Sequence, residues 1–298
     1  MTKRLKGGCL NLTKPIFELI KEASTNLPSD IISVMQKMRD KEVKESNAQS
    51  VLNTILENIN LAKTEHIPIC QDTGMIFIDM YYPSGYSTIK MKSEIAEAII
   101  EATKMNFLRP NAVDIVTGIN TGNNIGVGSP SIYFNEWEKD YFEIRLMLKG
   151  GGSENVGIQY KLPDSTLKAG RDLEGVKSCV IEGVFKDQGL GCAPGILGIG
   201  IGGDRGGSYY LSKKQLFRKL EDENSNAELA KLEKDILESA NTLDIGPMGF
   251  GGLTTLLGVK IGTYHRHPAT YYVTITYMCW AGRRKIMTLK NDGGYVID

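Results

Sequence analysis

The spacing of apolar residues changes along this chain, and that change limits the fold more than any other feature. Apolar residues three and four positions apart in "KPIFELIKEA", "SDIISVMQKMRDKE", "NAQSVLNTILENINLAKTE" and "SEIAEAIIEATKMNFL" predict helices. A further helical stretch is predicted over residues 213–243, with an interruption near residues 224–226. Strands are predicted for "MIFIDMYY", for residues 142–148, and for "LLGVKIG", "YYVTITYMCW" and "RRKIMTLK". The chain is therefore predicted to be mixed α/β, with a helical N-terminal part packed against a mixed sheet.

Size and charge narrow the class of protein. The chain has 298 residues, of which 41% are apolar, and no convincing linker, so we interpret residues 1–298 as a single catalytic domain. Its 35 basic and 35 acidic residues give no electrostatic case for binding nucleic acid or an anionic membrane. No stretch approaches the ~20 apolar residues of a membrane span, and the first residues lack the apolar run of a signal peptide.

Five cysteines, an odd number, are spread far apart along the chain, at positions 9, 70, 179, 192 and 279. This spacing argues against a disulfide scaffold and predicts a reducing, cytoplasmic location. The paired C-x-x-C knuckles of a zinc ribbon do not occur in the sequence.

Three of these cysteines have neighbours suited to chemistry. Cys70 lies in "ICQDTG", Cys192 lies in "GLGCAPG", and Cys279 is followed closely by Arg283 and Arg284, whose positive charge favours thiolate. Three separated cysteines suit an iron–sulfur cluster with one iron that lacks a protein ligand and can act as a Lewis acid. The residues alone leave open the alternative of scattered structural cysteines.

Four motifs occur in an order that is typical of one family. They are "CQDTG" at 70–74, "GGGSEN" at 150–155, Cys192 among Gly and Pro, and the region from "RHP" to "CWAGRR" at 266–284. Over nearly its whole length the chain resembles the α subunit of the class I, iron–sulfur fumarate hydratase/L-tartrate dehydratase family. The resemblance implies a 4Fe-4S cluster with one open iron, held by Cys70, Cys192 and Cys279. Cys179 is then a core residue and Cys9 is incidental.

The resemblance also implies the reversible hydration of a carbon–carbon double bond in a small dicarboxylate. Asp72 is the acid/base candidate, and His267, which aligns with the histidine of the family's motif, is expected to move a proton. Gln71 and Arg109 match residues that contact substrate carboxylates. The corresponding structural alternatives are a carboxylate that caps a loop, a histidine bonded to backbone and a solvated surface arginine.

The glycines of "GGGSEN" let backbone N–H groups approach an anion closely. Gly151, Gly152 and Ser153 are therefore predicted substrate contacts, and a tight strand-to-loop turn is the structural alternative. The glycines of "GIGIGGDRGG" lack the phosphate-loop pattern. Arg283 and Arg284 either tune the cluster or cap local structure, and the sequence does not decide between these roles.

The resemblance favours fumarate and malate as the expected substrates, because the chain keeps "SEN" after its three glycines and the family's tartrate dehydratases often depart from this triplet. L(+)-Tartrate dehydratase and mesaconate-type hydratase are alternatives. The resemblance implies a β subunit in an α2β2 assembly, with the β domain absent from this chain. Two hypotheses of another class remain: a structural or regulatory iron–sulfur subunit without catalytic activity, and a cluster-free nucleotide-binding protein.

Overall fold

A computed structural model describes residues 10–298, so Cys9 lies outside the described residues. The helices of this part are α1 (Thr13–Thr25), α2 (Ser29–Lys41), α3 (Asn47–Glu65), α4 (Thr88–Lys104), α5 (Gly151–Asn155), α6 (Leu173–Asp187), α7 (Arg205–Gln215) and α8 (Ala227–Asn241). The strands are β1 (Met75–Pro83), β2 (Ser131–Trp137), β3 (Tyr141–Lys149), β4 (Ile158–Lys161), β5 (Gly195–Ile201), β6 (Leu256–Thr263), β7 (Tyr272–Met278), β8 (Arg284–Lys290) and β9 (Tyr295–Ile297). None of the helices described is long and apolar enough to cross a membrane.

The chain divides into two compact units, each built from several segments. Of the described residues, unit 1 contains 10–28, Ile59–Lys149 and Arg283–Asp298, and unit 2 contains Ser29–Asn58 and Gly150–Gly282. The segments of each unit are far apart in sequence, so each unit is stabilised internally by contacts between residues that are distant in the chain.

Unit 1 is built on a five-stranded sheet with the order β2-β1-β3-β8-β9. The pair β1 and β2 is parallel and the other pairs are antiparallel. Helix α1 packs against β3, β8 and α4. The core contains fully buried apolar side chains from strands, such as Ile78 and Leu146, and from helices, such as Ile16 and Ile95. Burial of this apolar surface is the main force that stabilises the unit.

Unit 2 contains a four-stranded sheet with the order β4-β7-β5-β6, in which only the pair β5 and β6 is parallel. All seven residues of β5 are buried, although the sequence of this strand, "GILGIGI", is rich in glycine. A Cβ atom on Gly198 would lie 2.2 Å from the Ser212 carbonyl oxygen, and one on Gly200 would lie 2.3 Å from that of Ser208. These glycines therefore allow α7 to pack directly on the strand.

The structure confirms the mixed α/β class and the predicted N-terminal helices and strands. Three local interpretations were incomplete or wrong. Helix α6 was not predicted, and residues 151–155 form a short helix instead of a tight strand-to-loop turn. The helical stretch predicted over residues 213–243 is divided between the end of α7 and α8 by a long non-helical segment at 216–226, where only a short interruption near 224–226 was expected.

Candidate active site

The Cys70 motif forms the loop between α3 and β1 in unit 1. The loop begins at buried Ile69, whose N–H donates to the Ser24 carbonyl at 3.0 Å. Cys70 is half-buried, whereas Gln71 and Asp72 are exposed. The Asp72 carboxylate accepts a hydrogen bond from the Gly74 N–H at 3.0 Å, so the capping role considered for it is present. That role does not exclude acid/base chemistry, because a carboxylate has several acceptor sites.

Arg109 lies beside this loop because buried Thr73 joins the two segments. The Thr73 hydroxyl accepts hydrogen bonds from the Arg109 N–H at 2.9 Å and from the Asn111 side chain at 3.2 Å. The Arg109 guanidinium donates to the Gln71 carbonyl at 3.4 Å. A cavity of about 580 Å³ is lined here by Gln71, Asp72, Arg109, Pro110, Asn111, Asn120 and Gly122. Unit 1 therefore groups an amide, a carboxylate and a guanidinium around one space large enough for a small ligand.

Arg283 also binds the loop that carries Cys70 and Asp72. Its side chain is 1% exposed, and its guanidinium donates to the Asp72 carbonyl at 2.6 Å. The Arg283 carbonyl in turn accepts a hydrogen bond from the Leu148 N–H at 2.9 Å. These contacts favour the structural role that the sequence left open for Arg283. Arg284 is also buried, as the first residue of β8.

Cys192 and Cys279 lie close together in unit 2. The Trp280 N–H, one residue after Cys279, donates to the Cys192 carbonyl at 3.2 Å. Cys279 is 8% exposed and follows the end of β7. Cys192 is half-buried and has a φ of 61°, in the left-handed region that few residues other than glycine adopt. Backbone strain of this kind is concentrated at functional sites.

The loop that carries Cys192 is fixed by the C-terminal end of α6. The Asp187 carboxylate accepts a hydrogen bond from the Gly191 N–H at 2.7 Å, and the Cys192 N–H donates to the Gly189 carbonyl at 3.0 Å. Asp187 is 5% exposed, and burial raises the pKa of its carboxyl group. Sequence reasoning missed Asp187 because the helix that places it was not predicted.

The "GGGSEN" motif forms α5, which lies beside the Cys192 loop. A Cβ atom on Gly152 would lie 3.6 Å from the Leu190 carbonyl oxygen. Ser153 is 2% exposed, and its hydroxyl donates to the Gly150 carbonyl at 2.9 Å. Glu154 makes an ion pair with Lys213 of α7 at 2.7 Å. The motif therefore contributes backbone groups near Cys192, while its Ser and Glu side chains make contacts within the unit.

His267 lies in the exposed connection between β6 and β7. Its Nδ1 accepts a hydrogen bond from the Ala269 N–H at 3.1 Å, so Nε2 carries the proton of the neutral ring. The structural alternative for His267, a histidine that is hydrogen-bonded to the backbone, is therefore present. Two further cavities adjoin this connection, one lined in part by His265 and Arg266 and the other by Arg205 and His267.

Cys179 differs from the other described cysteines. It is fully buried in the apolar core of unit 2, and burial raises the pKa of its thiol to about 11. Among residues 10–298, no three His, Cys, Asp or Glu side chains are grouped to hold a single metal ion. A cluster differs from a single ion, since each of its cysteines binds a separate iron.

Comparison with models of known protein families shows to which family this chain belongs. The family model described as fumarate hydratase (Fumerase) matches residues 13–288. This chain belongs to the fumarate hydratase family. The match includes every candidate site residue, from Cys70 to Cys279.

Three relatives place the chain within the fumarate hydratase family. A protein of Geobacillus stearothermophilus named "Putative fumarate hydratase class I" is 47% identical over 96% of this chain, which spans 56% of that protein's length. The "Putative L(+)-tartrate dehydratase subunit alpha" of Methanocaldococcus jannaschii is 36% identical over 95% of this chain and 99% of its own length. The L(+)-tartrate dehydratase subunit alpha of Escherichia coli strain K12 is 30% identical over 98% of this chain and 95% of its own length.

Proposed function

We propose that this fumarate hydratase family chain is the α subunit of an iron–sulfur hydro-lyase that hydrates fumarate reversibly to (S)-malate. The observation that carries the proposal is the cavity of unit 1, where Gln71, Asp72 and Arg109 meet. Hydration of a dicarboxylate needs a cation for a carboxylate, a hydrogen-bond donor that orients it and a group that transfers a proton. These three side chains supply the required chemistry in one place.

Each side chain has a proposed role in the reaction. In the dehydration direction, the Arg109 guanidinium binds one substrate carboxylate and stabilises the negative charge that develops when a proton is removed beside it. The Gln71 amide orients the substrate, and the Asp72 carboxylate takes the proton from carbon. His267 is the second proposed proton-transfer group, through Nε2. Gly151, Gly152 and Ser153 are proposed to contact the substrate mainly through backbone groups, because the Ser153 hydroxyl already donates to Gly150.

We propose Cys70, Cys192 and Cys279 as the ligands of a 4Fe-4S cluster with one iron that lacks a protein ligand. One observation of unit 2 supports this fit: the Cys192 carbonyl accepts a hydrogen bond from the N–H of Trp280, the residue after Cys279. When bound, such a cluster supplies a Lewis-acidic iron for the substrate hydroxyl. We infer that both units together form one catalytic domain.

The names of the two tartrate dehydratase relatives contain "subunit alpha", which supports a β subunit as partner of this chain. We propose an α2β2 assembly, in which the isolated chain binds a cluster but has little hydratase activity. We also propose a cytoplasmic location, because the described cysteines are thiols in a chain of balanced charge.

The first experiment measures iron and acid-labile sulfide in the anaerobically reconstituted chain. Cys70, Cys192 and Cys279 are each changed to Ser, and Cys179→Ser is the control. We expect about four irons and four sulfides per chain, retained in the control and lost in the other three variants. A wild-type chain without sulfide, or a cluster unchanged in the three variants, would refute the ligand set.

A second experiment tests Asp72 in the complex with the β subunit. Asp72→Asn should retain the cluster and lose at least about 100-fold in kcat, the range for a group that transfers a proton. Retention of both cluster and turnover would show that Asp72 is a loop cap only and that the chain could be a structural subunit.

L(+)-Tartrate dehydration is the second candidate function. The observation in its favour is the share of each relative's length that the chain spans. This share is 99% and 95% for the two tartrate dehydratase α subunits but 56% for the Geobacillus protein. Assays of the same complex with fumarate, malate and L(+)-tartrate decide between the two candidates through their kcat/KM values.

A further inference from the structure

The backbone that carries Arg109 at the cavity of unit 1 is held by side chains, since residues 109–111 lie in neither a helix nor a strand. The Arg109 N–H donates to the Thr73 hydroxyl at 2.9 Å. The Asn124 side chain binds two further backbone groups. Its Nδ2 donates to the Arg109 carbonyl at 2.9 Å, and its Oδ1 accepts a hydrogen bond from the Asn111 N–H at 2.8 Å. Asn124 therefore binds this segment at two successive backbone polar groups on either side of the intervening proline.

Asn124 is itself firmly fixed in the interior of unit 1. The residue is 4% exposed, and it is not among the described residues that line the cavity. Its Nδ2 also donates to the Thr103 hydroxyl at 2.8 Å, and this hydroxyl donates to the Ile99 carbonyl of α4 at 2.8 Å. The amide thus connects a buried turn of α4 to the segment that carries Arg109.

The partners of the Asn124 amide allow it one orientation. Its Nδ2 donates one proton to a carbonyl and the other to a hydroxyl whose own proton is already donated, while its Oδ1 accepts from an N–H. A reversed amide would place its oxygen against the Arg109 carbonyl. Asn124 also has a φ of 66°, in the left-handed region that asparagine tolerates better than most residues. The position therefore suits asparagine in both its side chain and its backbone.

The position of this backbone matters because the Arg109 side chain is long and exposed at the cavity. The Arg109 guanidinium donates to the Gln71 carbonyl at 3.4 Å, which is at the long end of the hydrogen-bond range. The backbone therefore has a large share in deciding where the positive charge lies. A displacement of about 1 Å in a group that positions the substrate can lower the rate of reaction by about 100-fold.

We propose that Asn124 is a positioning residue that acts through Arg109, by fixing the backbone from which the guanidinium reaches a substrate carboxylate. This inference rests on the proposed function, since it requires that Arg109 binds the substrate. Because Asn124 does not itself contact the substrate, the removal of its amide should matter only while the guanidinium of Arg109 is present.

The test is a double-mutant cycle in the complex with the β subunit, with Asn124→Gly and Arg109→Ala made singly and together. Glycine adopts a φ of 66° without strain, so Asn124→Gly removes the side-chain contacts and keeps the backbone conformation. We expect kcat/KM, for whichever of fumarate and L(+)-tartrate the complex converts, to fall by about 10- to 100-fold, with a rise in KM. In the Arg109→Ala background, the same change should lower kcat/KM by about 2-fold or less.

Asn106→Gly is the matched control for the change to glycine. Asn106 also has a positive φ, of 63°, but it is exposed just after the C-terminal end of α4. The control removes an asparagine side chain from a left-handed residue that does not bind the Arg109 backbone. It should therefore keep the wild-type kcat/KM.

Asn124→Asp is a second variant, which guards against a folding defect in Asn124→Gly. Aspartate keeps the acceptor for the Asn111 N–H but loses both donors, so it leaves the Arg109 carbonyl without its bond. Hydrogen exchange at Asn111 should stay slow in Asn124→Asp, while kcat/KM falls at least about 10-fold. In Asn124→Gly the Asn111 N–H should exchange faster, and the amides of α4 should keep their wild-type rates.

The outcomes separate this inference from the proposed function. An equal loss of kcat/KM with and without the Arg109 guanidinium would show that Asn124 only supports the fold, and would leave the proposed function intact. Wild-type kcat/KM in Asn124→Asp would overturn the inference as well. A wild-type complex that converts neither fumarate nor L(+)-tartrate overturns both. A loss in Asn124→Gly that disappears in the Arg109→Ala background, with an unchanged Asn106→Gly complex, supports the positioning role.

Discussion

The Cys70 loop and the Cys192–Cys279 region hold their functional groups by different physical means. In the Cys70 loop, Gln71 and Asp72 are exposed and the backbone is fixed by hydrogen bonds from Arg109 and Arg283. In the Cys192–Cys279 region, the backbone is fixed both by hydrogen bonds, such as that from the Gly191 N–H to Asp187, and by the packing of Tyr277 between two glycines. The first region is held by a few directed contacts, whereas the second adds close packing to such contacts.

This difference predicts how each region tolerates change. A hydrogen bond contributes roughly 0.5–1.5 kcal/mol, or about 1.5–3 kcal/mol when one partner is charged. An added methyl group in a closely packed interior forces backbone and side chains apart and costs typically about 1–3 kcal/mol, occasionally more. We therefore expect the packed unit 2 to be the more sensitive to small substitutions, and the following predictions test that expectation.

The largest effect is expected from Gly200→Ala in β5. The new Cβ atom would lie 2.3 Å from the Ser208 carbonyl and 3.0 Å from the Ser212 N–H, both backbone groups of α7 that cannot rotate away. We expect a loss of about 3 kcal/mol in the free energy of unfolding, measured by urea denaturation.

Gly206→Ala is the matched control for this change. Gly206 lies in the first turn of α7, where an added Cβ atom would have only the Asp204 carboxylate within 4 Å, at 3.8 Å. The variant should be neutral or more stable by about 0.5 kcal/mol. Equal effects of the two alanines would contradict the claim that contact with α7 requires glycine in β5.

A second prediction compares the thiols in the cluster-free chain. Burial raises the pKa of Cys179 from 9.0 to about 11, so at pH 8 its thiolate fraction is about 100-fold below that of an ordinary thiol. Mass spectrometry after brief treatment with iodoacetamide should show half-buried Cys70 and Cys192 labelled at least about 100-fold faster than Cys179. Comparable labelling of Cys179 in the folded chain would refute its assignment as an inert core residue.

The same shift has a consequence for stability. Since the folded chain keeps the Cys179 proton to higher pH than the unfolded chain does, stability should fall as pH rises from 9 to about 11. Cys179→Ala removes this contribution, so its stability should depend less on pH in that window.

Arg283→Met tests the hydrogen-bonded region directly. The substitution keeps much of the apolar volume but removes the donor to the Asp72 carbonyl, so we expect a loss of about 2 kcal/mol in the free energy of unfolding. Arg39→Met, at a partly exposed arginine paired with Asp40, is the control and should cost about 0.5 kcal/mol or less. An Arg283 variant as stable as its control would mean that the loop has a different support.

The contrast between the two regions also explains which parts of the fold and of the site could be predicted from the sequence. Hydrophobic spacing predicted the elements that make up the core, and the resemblance drew attention to Gln71, Asp72 and Arg109, which the structure places around one cavity. Sequence reasoning did not predict that Tyr277 packs against the Cys192 loop, because a tyrosine in an apolar strand has the pattern of an ordinary core residue.

Strand β5 and its glycines are a second feature that the sequence did not predict. The sequence showed only that the glycines of "GIGIGGDRGG" lack the phosphate-loop pattern, whereas the structure shows that those of β5 allow a helix to pack against the strand. A single sequence does not reveal which distant element comes close to a glycine, so the reason for its presence depends on tertiary structure.

The smallest effect is expected at Glu154, the acidic residue of "SEN". Its ion pair with Lys213 is partly solvated, with side chains 31% and 22% exposed, so Glu154→Gln should cost about 0.5–1 kcal/mol. Glu182→Gln, which breaks the i,i+4 pair with Lys186, is the matched control and should cost a similar amount or less. Because Glu154 fixes α5 to α7 from outside, we expect the iron and sulfide content of the reconstituted chain to stay at the wild-type value. Loss of the cluster in Glu154→Gln with unchanged stability would instead assign this carboxylate to the site, and directed polar contacts would then matter more than close packing in the Cys192–Cys279 region.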